Sequence, residues 1–121
     1  MRAGAGARAA VALDLDIKIS RIGSRVVTAV SGDLDVDAAP ALSSLLGDLI
    51  DDQGNLFVDV DLSRVGVLDA AALRVLVLHR MTLAARGGVL GLAGVRPNLY
   101  RVLEVTGLDQ SFIIRDFEPS P

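Results

Sequence analysis

The stretch from Val58 to Arg86, VDVDLSRVGVLDAAALRVLVLHRMTLAAR, limits the possible folds most, because its hydrophobic period changes once within it. Phe57, Val58, Val60 and Leu62 are strand formers bounded by polar residues, which predicts a strand over residues 56–62. After Leu68 the chain becomes rich in alanine and leucine, and Leu73, Leu76, Val77 and Met81 recur at helical spacing. A helix over residues 70–86, about 25 Å long, is expected beyond a short loop. Asp69 stands at the joint as an N-cap, since its carboxylate can accept the orphan N–H groups of the first turn and complement the helix dipole.

A strand feeding a helix needs neighbours, and the chain supplies them. Leu13, Leu15, Ile17 and Ile19 alternate with Asp14, Asp16, Lys18 and Ser20, the period of a strand with one buried face. A turn at Gly23 leads to a second strand over residues 25–31, giving a hairpin. Asp37 is expected to cap a helix from Ala38, with Pro40 in its first turn. Leu42, Leu45, Leu46 and Leu49 form its core stripe, while Ser43, Ser44 and Asp48 face water. A polar loop follows from Asp51 to Asn55.

Beyond the central helix, Gly87 and Gly88 read as its stop, and Val89 to Ala93 as a short strand. Pro97 opens a helix with Leu99, Val102, Leu103 and Thr106 on one face and Gly107 at its end. Phe112 to Ile114 form a last strand. Hairpin, then helix and strand in alternation, calls for an α/β domain: a mixed sheet joined by right-handed crossovers with helices packed on it. Residues 1–12 read as a disordered arm, residues 13–115 as the domain and residues 116–121 as a tail. The arm's arginines are interspersed with alanine and no continuous apolar run follows, so it does not read as a targeting signal.

Composition agrees with one domain. The chain has 121 residues and 51% are hydrophobic, enough for one core and too few residues for two ordinary domains. There is no cysteine, which excludes disulfides and thiolate metal sites and makes a cytoplasmic location the expectation. Charged residues or glycine interrupt every apolar run well before the roughly 20 residues a membrane-spanning helix requires. The net charge is −3 and eleven arginines and one lysine are scattered, so nucleic-acid binding is not expected.

Three phrases carry a resemblance. Asp61-Leu62-Ser63, then Val67-Leu68-Asp69, then Leu73 and Leu76, are similar to the signature of the STAS domain family of anti-sigma factor antagonists. Gly32-Asp33-Leu34-Asp35 resembles the family's Gly-Glu-Leu-Asp box, with Asp33 in place of Glu, and Leu103 to Leu108 resembles its ending. The likeness spans roughly residues 13–114 and implies a single STAS-type domain. It further implies that Ala70 occupies the position of the serine that a partner kinase phosphorylates in relatives, with Ala71 and Ala72 in place of the following small residue and glycine.

The implied function is protein binding without catalysis. A family member binds an anti-sigma factor of the serine-kinase fold and so releases a sigma factor, and phosphorylation of the antagonist ends the interaction. Ala70 has no hydroxyl, so that control is expected to be missing here. The implied partner surface is Asp33, Asp35, Asp69, Ala70, Ala71, Ala72 and Arg74, with no cofactor and no metal. A second class of reading is an adaptor in a transporter or a multi-protein signalling complex. The helix from Ala70 is apolar around much of its circumference, with Val75, Leu78 and Leu83 off its main stripe, which leaves pairing of two copies open.

Other chemistries find little support. His79, the single histidine, lies within a helix without a positioned nucleophile, so it reads as structural or surface. Asp59 and Asp61, two apart on a strand, share a face and could suggest an oxygen-ligand site, but the only lysine is Lys18 and a receiver-type acidic site lacks its partner. Charged groups are rarely buried unpaired, so this face is expected to be open near Asp61 or to hold an arginine beside it, with the hairpin or a partner such as Arg64 accommodating Asp59. Gly87, Gly88, Gly91 and Gly94 match no phosphate-binding pattern and read as turn and packing residues.

Overall fold

A computed structural model describes residues 15–115. The proposed arm of residues 1–12, the start of the first strand at Leu13 and the tail of residues 116–121 lie outside the described residues. Five strands form one sheet: β1 (Asp16–Ile22), β2 (Arg25–Leu34), β3 (Phe57–Leu68), β4 (Val89–Ala93) and β5 (Ile113–Arg115). Their order in space follows the sequence, with β1 antiparallel to β2 and every later pair parallel. Helices α1 (Ala39–Gly47), α2 (Ala70–Ala85) and α3 (Pro97–Val105) make the three parallel crossovers.

Crossovers of one hand between strands added in one direction place their helices on one side of the sheet. Burial agrees. Val58, Val60 and Leu62 of β3, Val26 and Val30 of β2, and Leu90 and Leu92 of β4 share one core with Leu42 and Leu46 of α1, Leu76 and Leu83 of α2, and Leu99 and Leu103 of α3. No described element packs over the other face of the sheet.

The expected α/β architecture is therefore present, with several corrections. The largest concerns β3, which runs on through Leu68, so residues 63–68 are strand where a loop was expected. The cause lies in β2, which also runs longer, to Leu34, and pairs Ser31 with Arg64, Gly32 with Val65 and Leu34 with Leu68 across two register shifts. Gly32, at φ 121°, sits at the second shift, a backbone angle that a side chain would strain.

Asp37 does not cap α1; Ala38 holds that position, and the Asp35 carboxylate takes the N–H groups of Asp37 and Ala38 at 3.1 and 3.0 Å. An Asx turn has replaced the expected cap. Beyond Gly47 the chain continues as a wider π turn, Asp48–Asp52, which keeps Leu49 and Ile50 buried where a polar loop was expected from Asp51. Met81 is 54% exposed and lies off the core face of α2, where Ala72, Leu73, Leu76 and Leu83 do the packing. Thr106 is exposed at the end of α3, its hydroxyl turned back to the Val102 carbonyl. On edge strand β1, Ile17 is half-buried and Ile19 exposed, because the helices stop short of the sheet margin. The last strand starts one residue later than expected, with Phe112 buried just before it.

Candidate functional site

The carboxyl ends of β2 and β3 meet the start of α2, and most of the expected site residues gather there. Asp69 is extended, at φ −97° and ψ 179°, and its N–H donates to the Leu34 carbonyl at 3.0 Å, tying it to the end of β2. Its Oδ1 accepts the N–H groups of Ala71 at 3.0 Å and Ala72 at 3.3 Å. The cap expected from the sequence is formed. A carboxylate in this position satisfies two orphan donors and neutralises part of the positive helix end.

The three alanines are not equivalent. Ala70, the first residue of the helix, is exposed; Ala71 is half-buried; Ala72 is fully buried in the core. Ala72 therefore cannot contact a partner, a correction to the expected surface, and its small size serves close packing instead. Arg74 is exposed one turn beyond Ala70, where residues i and i+4 share a helix face.

Asp33 and Asp35 lie at the end of β2 beside this corner. Asp33 is exposed, with its Oδ1 so near Gly66 that a Cβ there would sit 3.2 Å from it. Asp35 is half-buried and is engaged by its own turn. With Asp37 and Asp69, the corner carries four carboxylates against the nearby Arg74. Two residues were not assigned to the partner surface from the sequence: Val36 and Val67 are 62% and 44% exposed in the same corner. The readable signal was an apolar residue set between Asp35 and Asp37, where a turn has no core to fill. Together the residues form an exposed surface with apolar points in an acidic frame. Nothing in it converges as acid, base and nucleophile.

The remaining candidates are accounted for elsewhere. His79 donates from Nδ1 to the Val75 carbonyl at 2.8 Å within its own helix. Thr82 makes the same kind of bond to Leu78, and the Ser63 N–H donates to Asp61 Oδ1 at 2.9 Å. Asp59 is 3% exposed, and the arginines beside it are Arg25 and Arg115, with Nε atoms 3.1 and 2.9 Å from Oδ2. Arg64 is exposed and makes no ion pair with Asp59; it pairs with Ser31 past the first register shift between β2 and β3, five residues along the strand from Asp59. Arg25 belongs to the hairpin, one of the two places expected to accommodate Asp59, although no arginine there was named; Arg115 had no signal in the sequence, being 56 positions away from Asp59.

Comparison with known proteins gives a consistent pattern. A family model described as "Mlab, STAS domain" matches residues 17–116. No curated protein sequence matches the chain. Among solved structures, an anti-sigma factor antagonist from Mycobacterium paratuberculosis is 27% identical at a TM-score of 0.75, covering 88% of this chain and 86% of that one. The Bacillus cell fate determinant SpoIIAA in its phosphorylated form is 18% identical at a TM-score of 0.67, over 84% and 90% of the two chains. A sulfate transporter family protein from Wolinella succinogenes is 19% identical at a TM-score of 0.64, over 78% and 80%. The last two likenesses are of fold alone.

Proposed function

This chain belongs to the STAS domain family, and from that premise we propose that it is an anti-sigma factor antagonist acting by protein binding. It binds an anti-sigma factor of the serine-kinase fold through Asp33, Asp35, Val36, Val67, Asp69, Ala70, Ala71 and Arg74, and so releases a sigma factor. The observation that carries this reading is the exposed Ala70 at the head of an Asp69-capped helix, flanked by the acidic corner. The 27% identical antagonist from Mycobacterium paratuberculosis supports the same class.

The binding carries no phosphate control at position 70. A phosphoryl group there would add about −1.5 to −2 charge beside Asp69, changing both the electrostatic fit and the desolvation cost of the covered surface. Alanine keeps the surface in one charge state. The site of action is the bacterial cytoplasm, where the anti-sigma partner works.

The experiment pairs the purified chain with serine-kinase anti-sigma factors and ATP. The wild-type chain binds and takes up no phosphate, whereas Ala70→Ser becomes phosphorylated and then loses binding. Phosphate on Ser63 or another residue of the wild-type chain, with loss of binding, would refute the unregulated reading. Failure to bind any anti-sigma factor, with a transporter recovered instead on affinity capture, would replace it with the adaptor reading.

A further inference from the structure

Asp59 and its two arginines lie far from the acidic corner, on the sheet face that no described element covers. Strand pairing sets that face out in rows. Ile22, Arg25, Phe57 and Val89 form one; Ser20, Val27, Asp59, Gly91 and Ile113 the next; Lys18, Ala29, Asp61, Ala93 and Arg115 the third. The centre is therefore lined by small residues and the margin by larger apolar ones.

Charge in this cluster does not balance. A buried carboxylate needs one cation, and Asp59 has two, both set on the same oxygen. Among the described residues no other carboxylate lies within 4.0 Å of either arginine, and Asp61 Oδ1 is occupied by the Ser63 N–H. Counted over the described residues of this face, Arg25, Arg115 and Lys18 stand against Asp59 and Asp61, which leaves one positive charge over. The Arg25 Nε is close enough to Asp59 to be attracted, yet it is not aligned to donate and stays a buried donor without a hydrogen-bond partner.

Geometry converts this surplus into a site. An arginine carries five N–H donors in a planar fork, and here each faces the carboxylate through Nε, leaving its Nη groups free of hydrogen bonds to described residues. The side chains are 35% and 40% exposed, so those groups are reachable. Two guanidinium groups resting on one oxygen are near enough to share a tetrahedral oxyanion. Gly91 lets the carboxylate lie flat against β4: a Cβ there would lie 2.7 Å from Asp59 Oδ1 and 3.7 Å from Arg115 Nε. On the same face Ile22, Phe57 and Ile113 are 57%, 40% and 49% exposed.

We propose that Arg25 and Arg115, braced by Asp59, bind the head of a small phosphate monoester whose apolar part rests on Phe57, Ile113 and Ile22. The buried carboxylate holds both forks in place, which lowers the ordering cost of binding the anion. The site is independent of the anti-sigma surface, which lies at the strand ends, and neither depends on the other being occupied.

The test is an amide chemical-shift titration of the wild-type chain with phenyl phosphate, inorganic phosphate and benzoate, at ionic strength held constant with sodium chloride. Phenyl phosphate produces saturable shifts at Val27, Phe57, Gly91 and Ile113, inorganic phosphate binds there more weakly, and benzoate is weaker than phenyl phosphate. Arg115→Gln lowers the affinity for phenyl phosphate by about tenfold or more, and Phe57→Ser weakens phenyl phosphate while leaving inorganic phosphate unchanged. Shifts that do not saturate, that sodium chloride alone reproduces, or that fall only at Ala71 and Ala72 on the α2 N-terminus would overturn the proposal. Equal binding of benzoate and phenyl phosphate would overturn the phosphate assignment. The wild-type titration decides the matter even where Arg115→Gln leaves Asp59 too poorly compensated to fold.

Discussion

Two side-chain oxygens show how much rests on single atoms. The Asp69 carboxylate holds the first turn of α2 by accepting two backbone N–H groups, so Asp69→Ala removes both acceptors at once. The expected loss is about 1 kcal/mol of unfolding free energy, read from urea denaturation, with the fold retained. Thr28 behaves in the opposite sense. It is fully buried and its hydroxyl has no hydrogen-bond partner, in a row with Val26 and Val30 on the helix-covered side. Replacing that hydroxyl with a methyl group of similar volume ends the desolvation penalty, so Thr28→Val raises stability by about 1 kcal/mol or more in the same measurement. A lower midpoint for Thr28→Val would mean that the hydroxyl has a partner in solution.

At the scale of elements, the return from α2 into β4 is made where two backbones nearly touch. The Val89 N–H donates to the Leu56 carbonyl at 2.8 Å, and a Cβ on Gly88 would collide with that same carbonyl. The obstacle is main chain and cannot rotate away as a side chain would. Gly88→Ala is therefore expected to cost about 1–3 kcal/mol, through displacement of β4 from β3. A calorimetric midpoint unchanged from wild type would show that this crossing has slack. The glycine pair after the helix reads in the sequence simply as a stop, and Gly87, at φ 81°, does that work. The second glycine answers to a strand some thirty residues earlier, which no local pattern reveals.

The described residues form a single layer of helices on one side of a five-stranded sheet, and α2, the longest of these helices, puts Ala72, Leu73, Leu76 and Leu83 into the core. Leu76 is fully buried there. Leu76→Ala removes its buried methyl groups and leaves a cavity, with an expected loss of 2–5 kcal/mol, about the range of such substitutions, in equilibrium unfolding. The cost to partner binding follows only through the folded fraction, since Leu76 does not reach the acidic corner. Binding lost in proportion beyond the unfolded fraction would contradict this separation.

Local chemistry was enough for the sequence to specify the element order, the Asp69 cap, the core stripes of α1 and the family to which the chain belongs. Each depends on residues within a turn or a strand of one another, where period and capping act directly. Contact between distant segments decided the rest. β3 continues to Leu68 because β2 lies beside it, Asp35 displaces Asp37 because the chain turns there, and Ala72 leaves the surface because α2 settles on the sheet. Arg115 meets Asp59 only once β5 has paired with β4. A carboxylate's partner and a side chain's exposure depend on what the fold brings near, and neighbours in space are not written in neighbours along the chain.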